Sequence, residues 1–207
     1  MYLQGLAGTI GLSLIVVICG TVLGTLLALL RLSSLKSGQW FVSVYLEIIR
    51  GTPVLIQIYF FWLFLPKVSP IKLSDTGSIV VALVCNSAAY IAEIVRSGIQ
   101  AVDPGQGEAA LSLGLSTYHT MSKVILPQAL KNILPAMVNE FITEIKQTSL
   151  ASIFFVNELT TSYKTVQSAT FLSIPSLMIS GLIYLALTFI LTRLTGILER
   201  RMKSNER

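Results

Sequence analysis

Long apolar runs dominate this chain, and they decide what it can fold into. A helix needs about 20 consecutive apolar residues to cross the ~30 Å hydrocarbon core of a bilayer. Such runs recur at about residues 3–30, 41–65, 79–98, 134–155 and 173–194. Only 12% of the 207 residues are charged, against about 25% in a soluble domain. The expectation is an all-α membrane protein with five transmembrane helices, organised as a single domain over residues 1–207. Cys19 and Cys85 both lie inside apolar runs, and read as small hydrophobes rather than a disulfide. The first run has no basic leader and no clear cleavage site, so it reads as a retained span.

Charge orients these spans. Arg31, Lys36, Arg96, Lys123, Lys131, Arg193, Arg200, Arg201, Lys203 and Arg207 fall on one side, and only Lys67, Lys72 and Lys164 on the other. Arginine and lysine gather on the cytoplasmic face of a membrane protein. The N-terminus is therefore expected outside and the C-terminus in the cytoplasm. The net charge of +5 follows from that topology and calls for no nucleic-acid partner. The second span is interrupted by Arg50-Gly51-Thr52-Pro53. Thr52 suits an N-cap and Pro53 the first helical position, with the helix running through a kink from near Phe41.

Residues 99–131 form a polar interruption on the cytoplasmic side. Asp103-Pro104 reads as a capped helix start, and Glu108 lies early in that helix, where the dipole favours an acid. Gly114 can take positive φ and end the helix. Ser116 or Thr117 can cap a second short helix that stops at Leu126-Pro127. Ala109, Ala110 and Leu113 offer this knob a small apolar face. His119 is the only histidine, and no cluster completes a metal site.

Ionisable groups inside spans are costly and mark function. In the third span Asn86, Tyr90, Glu93 and Ser97 follow one helical stripe, with Ser87 beside them. In the fourth, Asn139, Glu140, Thr143, Glu144, Lys146, Gln147, Thr148 and Ser149 crowd the middle. Helical rise puts Asn86 roughly 11 Å and Lys146 roughly 14 Å below the outer face. Asn86, Tyr90 and Lys146 then share a level, with Glu93 and Glu140 below. The competing reading is internal pairing, Glu93 with Arg96 and Glu47 with Arg50, since polar residues also hold membrane helices together.

The run from Glu108-Ala109-Ala110 through Gly114 to Leu126-Pro127 resembles the EAA loop of ABC-importer permeases, with Val124 where that family usually has isoleucine. The stretches Ile49-Arg50-Gly51-Thr52-Pro53 to Gln57 and Asn86 to Gln106 resemble the permeases for polar amino acids. The resemblance covers nearly the whole chain. It implies a type I ABC-importer permease fold and a transport subunit of an importer, not an enzyme, in a bacterial cell membrane. It implies a pathway lined by Gln57, Asn86, Ser87, Tyr90, Glu93, Asn139, Glu140, Lys146 and Thr148. It further implies ATPase coupling through Glu108, Ala109, Ala110, Gly114, Leu126 and Pro127. The implied partners are an ATP-binding cassette ATPase dimer, a second permease subunit (identical or homologous) and an extracytoplasmic amino-acid-binding protein. No cofactor is expected on this chain, which lacks a phosphate-binding loop; ATP and Mg belong to the partner ATPase. The alternatives are an ion-coupled secondary transporter, which typically shows repeats absent here, and a non-transporting scaffold.

Overall fold

The structure is a computed structural model that describes residues 1–70 and 73–204, without the side chains of residues 198, 199 and 201–204. Lys72 and Arg207, and the side chains of Arg201 and Lys203, thus lie outside the described residues. All regular structure described is helical. In chain order the helices are α1 (Tyr2–Leu32), α2 (Lys36–Gly51), α3 (Val54–Val68), α4 (Asp75–Gln100), α5 (Pro104–Ser112) and α6 (Thr117–His119). A π-helical turn, Thr120–Ile125, leads into α7 (Leu126–Gln147); a 3₁₀ segment, Thr148–Phe154, leads on to α8 (Leu159–Thr170) and α9 (Ser173–Ser204).

Among the described residues, α1, α4 and residues Ser173–Ile197 of α9 are long and apolar enough to cross a membrane singly. The pair α2 and α3 meets the same test together, bent by 111°. A kinked but continuous second span is therefore replaced by an elbow. Thr52 closes α2 and Pro53 holds the N-cap position of α3, one residue later than the capping reading placed it. Proline without an N–H cannot continue the α2 ladder, so the chain turns there. α7 is not among the candidate spans, because Lys131, Glu140, Glu144 and Lys146 dilute its hydropathy.

The hub is α4, with α1 beside it running in the same direction. Gly20 and Gly24, one helical turn apart, bring the two backbones together. A Cβ at Gly24 would lie 2.7 Å from the Ala88 carbonyl oxygen and 2.9 Å from Ile91; one at Gly20 would lie 2.9 Å from Ser87 Oγ. Small residues are the usual means of such close approach between membrane helices. Toward one end of this pair, Leu12, Val16, Ile58, Ile79 and Leu83 form a buried cluster. Toward the other, Ala28, Leu46, Ile49, Ile91, Val95, Val102 and Ile133 form a second.

The first of these ends is fastened by Glu158. It is fully buried at the N-cap of α8. Its carboxylate accepts from the backbone N–H groups of Thr160 (2.7 Å) and Thr161, and from the Tyr184 hydroxyl of α9 (2.9 Å). The adjacent Leu159 N–H donates to Thr9 Oγ1 of α1 at 3.0 Å. Phe155 precedes this cap and Phe171 closes the far end of α8, both in left-handed backbone, φ 57° and 59°, with their rings exposed. Bulky side chains rarely occupy that region; here each ends a helical segment where glycine is the usual terminator.

Candidate functional site

Two sites emerge, one at the polar turn and one along α4 and α7. The turn is a knob at the end of the bundle opposite α8. Asp103 Oδ1 accepts the Gly105 N–H at 2.9 Å, and Pro104 opens α5. Gly114 has φ 82°. The Leu115 N–H bonds the Ala110 carbonyl at 3.1 Å and the Gly114 N–H bonds that of Leu111 at 2.9 Å. This doubly bonded termination is one that glycine makes possible. Ser116 Oγ then caps α6 by accepting the His119 N–H at 3.3 Å, and pairs with His119 Nδ1 at 2.8 Å.

The knob differs from its expected outline in two ways. Leu126-Pro127 does not stop the second helix; Pro127 sits in the first turn of α7, the helix position that tolerates a missing N–H. Between α6 and α7 lies the π turn, one extra residue wound into an otherwise continuous helix. Such turns occur frequently at functional sites, and local propensity gave no sign of this one. Ala110 also faces inward, whereas Glu108 and Ala109 are exposed and Leu113 is 84% exposed. Tyr118 (75% exposed) joins Leu113 on the outer surface. Its place on the knob surface depends on the sharp bend at Gly114.

Along α4 the expected stripe divides. Asn86 is buried, and its amide donates to Gln57 Oε1 at 2.8 Å. Gln57 in turn donates to the Ile49 carbonyl (2.6 Å), the Thr52 carbonyl (3.0 Å) and Thr52 Oγ1 (2.9 Å). The two amides therefore brace the elbow, satisfying a carbonyl freed where α2 ends. Ser87 is buried against Gly20 of α1. Thr148 is buried and donates to the Ile145 carbonyl. Tyr90, Asn139 and Lys146 are exposed.

Glu93 is the meeting point of three helices. Its Oε2 accepts from Arg31 of α1 at 2.8 Å and from Arg96 Nε at 3.1 Å, and its Oε1 pairs with Arg96 Nη2. Arg50 of α2 stands at 3.6 Å from Oε2 and lies over the Tyr90 ring, 5.8 Å from its centroid. The pairing of Glu93 with Arg96 is as expected. The pairing of Arg50 with Glu47 is not found; Arg50 turns toward α4 instead.

Glu140 and Glu144, one turn apart on α7, face inward. Both Glu144 oxygens and Glu140 Oε1 have no hydrogen-bond donor among the described residues, and neither do Gln147 Oε1 and Asn86 Oδ1. Buried acceptors are normally satisfied, so the interior of this bundle holds a surplus of acceptors.

These features belong to a transport subunit that works through partners. The sequence matches the model of the family described as binding-protein-dependent transport system inner membrane component over residues 20–204. The chain belongs to that family: it is a permease subunit of an ABC transporter, not an enzyme, and ATP hydrolysis is the work of a separate ATPase. It is 38% identical over 204 residues to the arginine transport system permease protein ArtQ of Bacillus subtilis (strain 168), covering 99% of this chain and 93% of the relative. It is 34% identical to the glutamine transport system permease protein GlnP of Escherichia coli (strain K12), covering 98% and 93%. A crystal structure of an amino acid ABC transporter with histidines superposes with a TM-score of 0.91 at 40% identity, covering 97% of this chain and 93% of the other. The inward-facing MetNI methionine ABC transporter shares the fold, with a TM-score of 0.72 at 19% identity and 96% of each chain covered.

Proposed function

We propose that this chain is the membrane-spanning subunit of an ATP-driven importer of a polar amino acid. The observation that carries this reading is polar surface on helices that lie in lipid. Tyr90 on α4 and Asn139 and Lys146 on α7 are exposed, and a charged or amide group inside a bilayer turns toward a partner or a water-filled path. Relatives that transport arginine and glutamine support the substrate class. The path runs between this chain and a second permease, identical or homologous. Lys146 receives the substrate carboxylate. The buried Glu140 and Glu144 on the inner face of α7 offer carboxyl oxygens that lack a donor as acceptors for its ammonium group. Gln57, Asn86, Ser87 and Thr148 hold the helices that carry these groups. Five spans, counting the elbow as one and α7 as another, set the termini on opposite faces of a bacterial cell membrane, and the basic bias of the loops puts the N-terminus outside and the C-terminus in the cytoplasm. The knob in residues 99–131 docks an ATP-binding cassette ATPase dimer, which holds ATP and Mg, and an extracytoplasmic binding protein delivers substrate at the opposite face. The chain's resemblance to ABC permeases disfavours an ion-coupled secondary transporter.

Lys146→Met is the direct test. Loss of one charge-assisted hydrogen bond is worth about 1.5–3 kcal/mol, so transport into proteoliposomes should fall roughly 10- to 150-fold. ATP hydrolysis stimulated by the loaded binding protein should fall far less. Unchanged transport at normal expression would move the path to another face; loss of folded protein would make Lys146 structural. Orientation has its own test. In a Cys19→Ala, Cys85→Ala background, Ser168→Cys should react with an impermeant thiol reagent on intact cells. Ser204→Cys should react only after the cytoplasmic face is opened. The reverse pattern would overturn the topology and the depths reckoned from it.

A further inference from the structure

The Glu93 cluster is not electrically balanced. One carboxylate meets the guanidinium groups of Arg31, Arg50 and Arg96, so about two positive charges remain. Arg31 and Arg96 between them occupy both oxygens at hydrogen-bonding distance, while Arg50, at 3.6 Å, stands beyond it. Arg50 is the most exposed of the three, with 42% of its side chain accessible. Glu47, its neighbour in sequence, forms no ion pair with it among the described residues. Arg50 is held instead by the face of Tyr90, a contact that leaves the N–H groups of the guanidinium fork unspent.

Its surroundings indicate what those N–H groups face. Tyr90, Ser97 and Gln100 are exposed and Glu93 half-buried along one side of α4, a polar stripe that continues from the level of Lys146 toward the knob. Lipid does not favour such a stripe, so Arg50 opens onto the path rather than the bilayer. It also stands one residue before the 111° elbow, where a small backbone change would swing the guanidinium. An arginine fork matches a carboxylate bidentately.

We propose that Arg50 is a second, inner receiving site for the α-carboxylate of the transported amino acid, held ready by the Arg31–Glu93–Arg96 group behind it. This rests on the path reading above and adds to it a specificity residue on the knob side of Lys146. Any amino acid carries that carboxylate, so the site selects for the free acid and leaves side-chain choice to other groups.

The test uses the full permease–ATPase complex in nanodiscs of zwitterionic lipid, without nucleotide or binding protein. Binding is compared for L-arginine against L-argininamide and L-glutamine against L-glutaminamide, pairs that differ only in the carboxylate. The wild type should prefer the acid by roughly 10- to 150-fold for the pair it binds. Arg50→Gln should erase that preference while amide affinity changes less than about threefold. Arg50→Lys should keep part of it, and Lys146→Met should lower it without erasing it. If Lys146→Met erases the preference and Arg50→Gln does not, the carboxylate is read at Lys146 alone: the inner site falls and the path stands. If no probe binds, or neither variant alters a preference that exists, the path reading falls with it. If the Arg50 effect vanishes once anionic lipid is added, the guanidinium serves a lipid phosphate and the proposal is overturned.

Discussion

Gly24→Leu should remove most of the folded permease from the membrane. The new Cβ would stand 2.7 Å from the Ala88 carbonyl oxygen and 2.9 Å from two atoms of Ile91. Neither the backbone of α4 nor a β-branched side chain can yield cheaply. Overpacking of this kind costs about 1–3 kcal/mol and sometimes more, and the rest of the leucine side chain has no room to follow. Yield of monodisperse protein by size exclusion should drop at least about tenfold. Gly11→Leu is the control, because a Cβ there meets nothing within 4 Å. Equal yields for the two variants would mean that α1 and α4 are not packed as described.

Gly114→Val should do the opposite: leave the bundle intact and disable the knob. A Cβ at Gly114 meets nothing within 4 Å, so crowding is not the difficulty. The difficulty is φ 82°, where an L side chain costs about 1–2 kcal/mol and a β-branched one is especially poorly tolerated. The turn would open, and Leu113 and Tyr118 would leave their places on the outer surface. Insertion should be normal, while co-purification with the ATPase and coupled hydrolysis are lost. Gly114→Asn should retain both, since asparagine tolerates left-handed backbone. Normal transport by the valine variant would show that docking does not depend on this turn.

The contrast between these glycines also marks what could be read from sequence. Gly114 was legible because its cause is local: a capped helix start at Asp103 and a fresh cap at Ser116 leave one place for the bend. Gly20 and Gly24 carry no local signal, since their cause is the surface of α4 more than 60 residues away in sequence. The same division runs through the polar residues. Pairing of Glu93 with Arg96 lies within one helical turn and was readable. Spacing along one helix pairs Arg50 with Glu47, but the structure turns Arg50 toward α4. Gln57 and Asn86 looked like one kind of residue with Tyr90 and Lys146. Burial separates the pair that braces the elbow from the pair that is exposed, and burial is a property of packing. The long helices are legible in the apolar runs for the opposite reason: in a bilayer, length and hydropathy are themselves the constraint.

Glu158 carries one further meaning. Its single carboxylate closes α8 and grips α9, while the next residue grips α1. This end of the bundle therefore has no independent parts: whatever tilts α1 or α9 carries α8 and the exposed rings of Phe155 and Phe171 along with it. Mechanically this end is a yoke, and any relative movement within the subunit is left to the elbow before α3 and the π-helical turn before α7.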